Sequence, residues 1–137
     1  MGVVLDSSVI IAAERAGKSP RQVVSELAAL LGDTEATLSV VTVMELAHGI
    51  QRANSPERAT ARRQFLDELF VEISAEPVTA SIAMRAGKID GILQTAGSRI
   101  ALGDLLIGAT APELGYSVAT HNFRDFDKIP DLAAKRI

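Results

Sequence analysis

Apolar positions along the chain fall into two patterns. Short runs rich in β-branched residues, Val3 to Leu5, Leu38 to Val41, Val71 to Ile73 and Ser117 to Thr120, are too brief for helices and predict strands; the tail to Ile137 offers a fifth. Between them apolar residues recur at helical spacing. Val9 to Ala16 predicts a helix stopped by Gly17. Ser19-Pro20 and Ser55-Pro56 each set a capping hydroxyl before a proline whose fixed φ suits the first helical position. After the first, Val23, Val24, Leu27, Leu30 and Leu31 share a face up to Gly32. After the second, Phe65, Leu66, Leu69 and Phe70 form the inward side of a charged helix to about Val71. Thr42 to about Arg52 turns Val43, Leu46, Ala47 and Ile50 to one side. Thr79 to about Ala96 does the same with Ile82, Ala86, Ile89 and Leu93, and stops at Gly97. Leu105 to Ala109 is apolar nearly all round, which predicts a helix buried inside the fold with Asp104 at its head.

Strands alternating with helices imply an α/β fold: a mostly parallel central sheet of four or five strands, flanked by helices. Residues 1–137 read as one domain, without a linker, an internal repeat or a low-complexity segment. A chain of this length buries roughly two-thirds of its unfolded surface. No apolar run approaches the ~20 residues of a membrane span, and the first residues do not resemble a signal peptide. The absence of cysteine removes disulfide and thiolate chemistry and fits a cytoplasmic protein. The net charge of −3 argues against coating nucleic acid by bulk charge. Locally the balance reverses: residues 52–63 hold Arg52, Arg58, Arg62 and Arg63 against Glu57, giving 4 − 1 = +3. That stretch is either a solvated helix face or a surface for phosphates.

Carboxylates stand where such folds put chemistry. Asp6 interrupts an apolar run directly after the first strand, and open α/β sheets bind ligands beyond the carboxyl ends of their strands. Glu45 lies a turn past the second strand, Asp104 heads the buried helix, and Asp125 follows the fourth strand in Thr120 to Phe126. Each has a plain structural alternative. Asp6 and Asp104 suit helix caps, Thr42-Val43-Met44-Glu45 fits a capping box, and Asp125 fits a turn. Their joint occurrence suggests otherwise. Two negative charges ~5 Å apart at an effective dielectric of ~20 repel by roughly 3 kcal/mol. Four such groups in one cleft would strain the whole fold unless protons or cations relieved them. Oxygen ligands without cysteine or paired histidine select hard ions, Mg²⁺ or Mn²⁺. Neither His48 nor His121 is assigned to this set.

With these residues in place, the chain resembles a PIN domain, and specifically a VapC-type ribonuclease toxin of a prokaryotic toxin–antitoxin pair. The likeness runs from Val4 to Ile11, through Ser39 to Ile50, to Ala101 to Phe126. It implies that Asp6, Glu45 and Asp104 are catalytic, metal-binding acids. The segment after Thr120 supplies a fourth group, Asp125 or Asn122, with Asp125 the acid actually present and Asn122 a polar neighbour. Ser8 and Thr120 match hydroxyl positions that support the ligands. Pro112 departs from the family's uninterrupted helix and predicts a kink or an early end.

The resemblance implies an endoribonuclease using Mg²⁺ or Mn²⁺, in which water attacks an RNA phosphate and leaves a 5′-phosphate. Arg52, Arg58, Arg62 and Arg63 are the candidates for RNA contact. With four Phe, one Tyr and no Trp, structured RNA such as tRNA or rRNA suits the chain better than bases stacked on aromatic rings. A cognate antitoxin and a homodimer are the implied partners, with the apolar sides of the 20–31 and 56–71 helices able to serve as core or as a partner's groove. A signalling receiver module and an Asp-x-Asp phosphohydrolase fit less well, because Asp6 is followed by Ser7-Ser8 and the fourth strand leads to His121-Asn122. A PIN-like module that binds RNA or protein without cutting is the remaining alternative.

Overall fold

The computed structural model describes residues 1–137. Its centre is β1 (Gly2–Leu5), whose residues are buried on both faces, as a parallel strand covered by helices must be. The chain then forms α1 (Ser7–Arg15), α2 (Pro20–Leu31), β2 (Glu35–Ser39), α3 (Val40–Gln51), α4 (Pro56–Glu72), β3 (Ala75–Glu76), α5 (Ala80–Thr95), α6 (Leu102–Leu114), β4 (Ser117–Thr120), α7 (Phe123–Phe126) and β5 (Ala134–Arg136). The strands form one parallel sheet in the order β3-β2-β1-β4-β5. The α/β class and parallel sheet expected from the sequence are therefore present, with five strands.

Alternation along β1 divides the core. Val3 and Leu5 pack with Ile10, Val23, Leu27, Leu38, Leu46, Phe65, Leu66 and Leu69 on one face. Val4 packs with Ile82, Ala86, Ile89, Leu105, Ile107 and Phe126 on the other. Thus α1 to α4 contribute to one layer, and α5 and α6 to the opposite one. No helix is long and apolar enough to cross a membrane.

Several boundaries differ from expectation, each for a local reason. The second strand runs over Glu35–Ser39, and Val40 and Val41 already belong to α3. Ser39 ends the strand because its hydroxyl accepts from the Val41 amide at 3.1 Å. Thr42 is therefore inside the helix and fully buried, and the Thr42-x-x-Glu45 capping box does not form. Val71 to Ile73 is not a strand: α4 continues to Glu72, and the Ile73 amide still bonds to the Leu69 carbonyl at 2.8 Å. The third strand is the shorter Ala75–Glu76, which pairs with Leu38 and Ser39. Helix α6 begins three residues before Leu105, with Ala101 as its N-cap, so Asp104 lies in its first turn and does not cap it. Nor does Pro112 end the helix early. It sits in the last turn, where few bonds remain to lose, and α6 runs to Leu114 before Gly115 adopts φ 71 and turns the chain into β4.

Ile107 is fully buried in the α5–α6 layer. Ile107→Ala should destabilise the protein by about 2–5 kcal/mol, which urea unfolding would measure; a loss well below 1 kcal/mol would contradict this packing.

Candidate active site

The sheet changes direction beside β1: β2 and β3 lie to one side, β4 and β5 to the other. Ligands collect at such switch points, outside the carboxyl ends of the strands. Asp6 stands at this point. Its amide donates to the Ala119 carbonyl at 2.9 Å, extending the β1–β4 ladder by one residue and bringing Asp6 alongside Thr120.

Asp6 occupies the N-cap position of α1, yet its side chain caps nothing. It is 3% exposed and surrounded by hydroxyls. Ser8 Oγ donates to Oδ2 at 2.6 Å, Thr120 Oγ1 donates to the same oxygen at 2.9 Å, and Ser7 Oγ lies 3.4 Å from Oδ1. Two of these hydroxyls are held in turn: the His121 amide donates to Ser8 Oγ at 3.2 Å, and the Asn122 amide donates to Thr120 Oγ1 at 2.7 Å. A carboxylate this well satisfied tolerates burial without a full ion pair. The backbone links from His121 and Asn122 are visible only in three dimensions.

The remaining acids approach from other elements. Glu45, on the second turn of α3, places Oε1 3.3 Å from where a side chain on Gly103 would begin. Glycine at 103 therefore leaves room for that carboxylate beside the first turn of α6. Asp104 follows directly. Its carboxyl is pushed up from the ordinary 3.8 to about 6, first by burial and then by the negative charges of Asp6, Asp125 and Glu45. Residues separated by as many as 119 positions thus share one electrostatic neighbourhood, since 125 − 6 = 119. Asp125 accepts from the Asn122 side-chain amide at 2.9 Å and lies 3.6 Å from Lys128 Nζ. Asn122 and Asp125 therefore act as a hydrogen-bonded pair at this edge. No three acidic or histidine side chains are arranged to hold one ion directly.

The arginines expected to meet RNA separate into different roles. Arg62 is partly buried; it donates to the Gly49 carbonyl and lies 3.9 Å from Glu14, bracing α4 against α3 and α1. Arg63 pairs with Asp67 one turn along α4 at 3.2 Å, an exposed contact of little energetic weight. Arg52 and Arg58 are exposed and carry no ion pair. His48 is exposed and makes no side-chain hydrogen bond, while His121 Nδ1 lies 2.6 Å from the Ile137 carbonyl. On α2 and α4, Val23, Leu27, Phe65, Leu66 and Leu69 are core, whereas Leu30 and Val71 are exposed.

Comparison with known proteins fits this geometry. The model of the PIN domain family matches residues 3–132. A protein named Ribonuclease VapC from Rickettsia bellii is 30% identical over 132 residues, covering 96% of this chain and 93% of the relative. The chain is a VapC-family PIN domain. Among solved structures, VapBC2 from Rickettsia felis, bound to a fragment of promoter DNA, superposes with a TM-score of 0.84 at 21% identity, covering 100% of this chain and 99% of that one. VapBC-5 from Mycobacterium tuberculosis, described as a member of the VapBC family of toxin–antitoxin systems, superposes at 0.74 with 27% identity and coverage of 99% and 97%. The PIN fold expected from the sequence is therefore the one observed.

Crowding at Asp104 has a consequence for stability. Between pH 3.8 and about 6 the folded protein holds a proton that the unfolded chain has released. Stability therefore falls as pH rises through that window, and the deficit persists above it. Asp104→Asn should melt at a higher temperature than the parent at pH 8 without divalent ions, and the gap should close by about pH 4. Thermal melts across this range would measure it; a gap independent of pH would contradict the crowding.

Proposed function

We propose that this VapC-family chain is a divalent-metal-dependent endoribonuclease that hydrolyses RNA phosphodiester bonds as the toxin of a toxin–antitoxin pair. The observation that carries the reading is the gathering of Asp6, Glu45 and Asp125 around Asp104, whose carboxyl is pushed up to about 6 by its burial first and by these three charges next. The curated relative named as a ribonuclease supports the reaction class.

The donor set is made of carboxylate oxygens, without cysteine, which suits Mg²⁺ or Mn²⁺. Mg²⁺ commonly binds through one or two carboxylates and keeps several waters, so acids that do not close around one point still fit it. Asp6, Glu45, Asp104 and Asp125 are the residues that would hold it. When bound, such an ion acidifies water and offsets charge developing on the phosphate. The chain's own groups provide the positioning. Ser8 and Thr120 fix Oδ2 of Asp6, Asn122 and Lys128 fix Asp125, and burial keeps the site's dielectric low so that each charge counts for more. With water as the nucleophile, the product bears a 5′-phosphate.

Structured RNA such as tRNA or rRNA is the favoured substrate, given only four Phe, one Tyr and no Trp, and a cytoplasmic location belongs to the same reading. Arg52 and Arg58 are the free cations of the original arginine set. For the antitoxin, a groove of about 240 Å³ between α1 and α2, lined by Val9, Ala12, Ala13, Val23, Leu27 and Leu30, suits the apolar face of a partner segment. The toxin–antitoxin description of VapBC-5 supports that partner. A homodimer belongs to the same reading, with Met44 and Leu102 among the exposed apolar side chains that it would cover.

Cleavage of RNA should vanish with a chelator and return with Mg²⁺ or Mn²⁺, and Asp6→Asn should abolish it; undiminished cleavage by that variant would refute the site. Thr120→Val should lower metal affinity or activity by about 10- to 100-fold, as loss of a group that orients a ligand does, measurable by metal titration calorimetry beside the cleavage assay. Expression of the parent in bacteria should arrest growth, and expression of Asp104→Ala should not.

A further inference from the structure

We propose that the cleft between α1 and α4 is the track along which the RNA backbone reaches the acidic site, with Arg15 and Arg58 as its phosphate-binding cations and Arg62 as the strut that keeps it open. This rests on the ribonuclease reading and gives it a direction across the surface.

The cleft is a cavity of about 440 Å³ lined by Glu14, Arg15, Lys18, Arg58 and Arg62, with Gly17, Ala61 and Phe65 completing it. Its charged lining sums to 4 − 1 = +3 on a chain whose net charge is −3. Such a local reversal attracts a polyanion and repels little that is neutral. A second cavity of about 100 Å³ adjoins it, sharing Glu14, Arg15 and Arg62 and lined also by Glu45. The basic cleft therefore borders a space lined by one of the four acids.

Within the cleft the cations are not equivalent. Arg62 is occupied by the Gly49 carbonyl and by Glu14, and Lys18 Nζ is paired with Glu26 at 2.8 Å. Arg15 and Arg58 have no ion pair and no side-chain hydrogen bond, and both are exposed. They come from the end of α1 and the start of α4 and face the same space. Two unpartnered guanidinium groups across one cleft suit successive phosphates, which each can bind in bidentate fashion. An acidic peptide could use the same charges, but it would have no need of a path ending at carboxylates. A backbone whose phosphate must arrive at those carboxylates, which would hold a divalent cation, accounts for both halves.

The test uses the full chain carrying Asp6→Asn, so that binding is read without cleavage, and a fluorescein-labelled bulk tRNA pool as probe. Binding is measured by anisotropy at several salt concentrations for this parent, for Arg15→Gln with Arg58→Gln added, and for Arg21→Gln with Lys88→Gln added as an exposed control pair. The cleft pair should weaken tRNA binding by at least about tenfold and reduce the slope of log K against log salt by about 1.5, while the control pair changes neither by a comparable amount. Circular dichroism establishes that both variants are folded. Parent-like affinity and slope in the cleft pair would overturn the track and leave the ribonuclease reading standing. So would a cleft pair that retains tRNA binding but loses binding of a poly-glutamate peptide, which would make the cleft a seat for an acidic protein segment. A parent that binds no tRNA at low salt, together with a wild-type chain that cleaves none, would overturn the ribonuclease reading and the track with it.

Discussion

Mutual repulsion among carboxylates at one edge of the sheet is the constraint to which the rest of the structure answers. Asp6 is almost fully buried, and Asp104 is loaded by burial and by the charges of Asp6, Asp125 and Glu45. A fold selected for stability alone would spread such groups apart or replace them. Here several features hold them together. Ser8 and Thr120 satisfy Asp6 by hydrogen bonds, and their own oxygens are held by the amides of His121 and Asn122. Gly103 leaves space for the Glu45 carboxylate. The network is anchored on backbone amides directly after β4.

The sheet order explains why these residues, and no others, meet. Because β1 lies between β2 and β4, the ends of all three strands open on the same edge. Asp6 follows β1, Ser39 starts the helix carrying Glu45 directly after β2, and Thr120 closes β4. Helix α6 is buried through Leu105 and Ile107 to Ala111, which fixes its first turn, and hence Asp104, against that edge. Apolar packing thereby supplies the free energy that keeps the acids in place, and it does so from both faces of the strand that bears Asp6. Stability and site geometry are coupled in one element, since a void beside α6 or β1 would loosen the acids along with the core.

Charge around the acidic edge is distributed by use. Arg62 joins three helices and is spent inside the protein, Arg63 is matched to Asp67, and Lys128 attends Asp125. Arg15 and Arg58, which carry no ion pair, line the cleft that borders the space beside Glu45. A positive approach to a negative centre is the arrangement expected where a polyanion must be drawn in and then met by a cation.

Much of this was legible along the chain. Short apolar β-branched runs located most of the strands and helical spacing the helices, the Ser-Pro pairs marked the starts of α2 and α4 to the residue, and Asp6 stood out because an acid in an apolar run needs a reason. Local signals misled where two readings shared the same residues. Val40, Val41, Val71 and Ile73 are β-branched and apolar, yet the Ser39 cap made the first two helical, and the continuing α4 ladder took in Val71 and left Ile73 as its C-cap. The sequence by itself determined the fold class, an apolar first strand and the place of Asp6 directly after it, because hydrophobic patterning is a property of neighbouring residues. Only the tertiary structure decided that those acids share one electrostatic neighbourhood, that Thr120 and Ser8 grip the same oxygen of Asp6, and that Arg62 is a strut while Arg15 faces the cleft. Those relations are distances between residues remote in the chain, and such distances are set by how strands pair and helices pack.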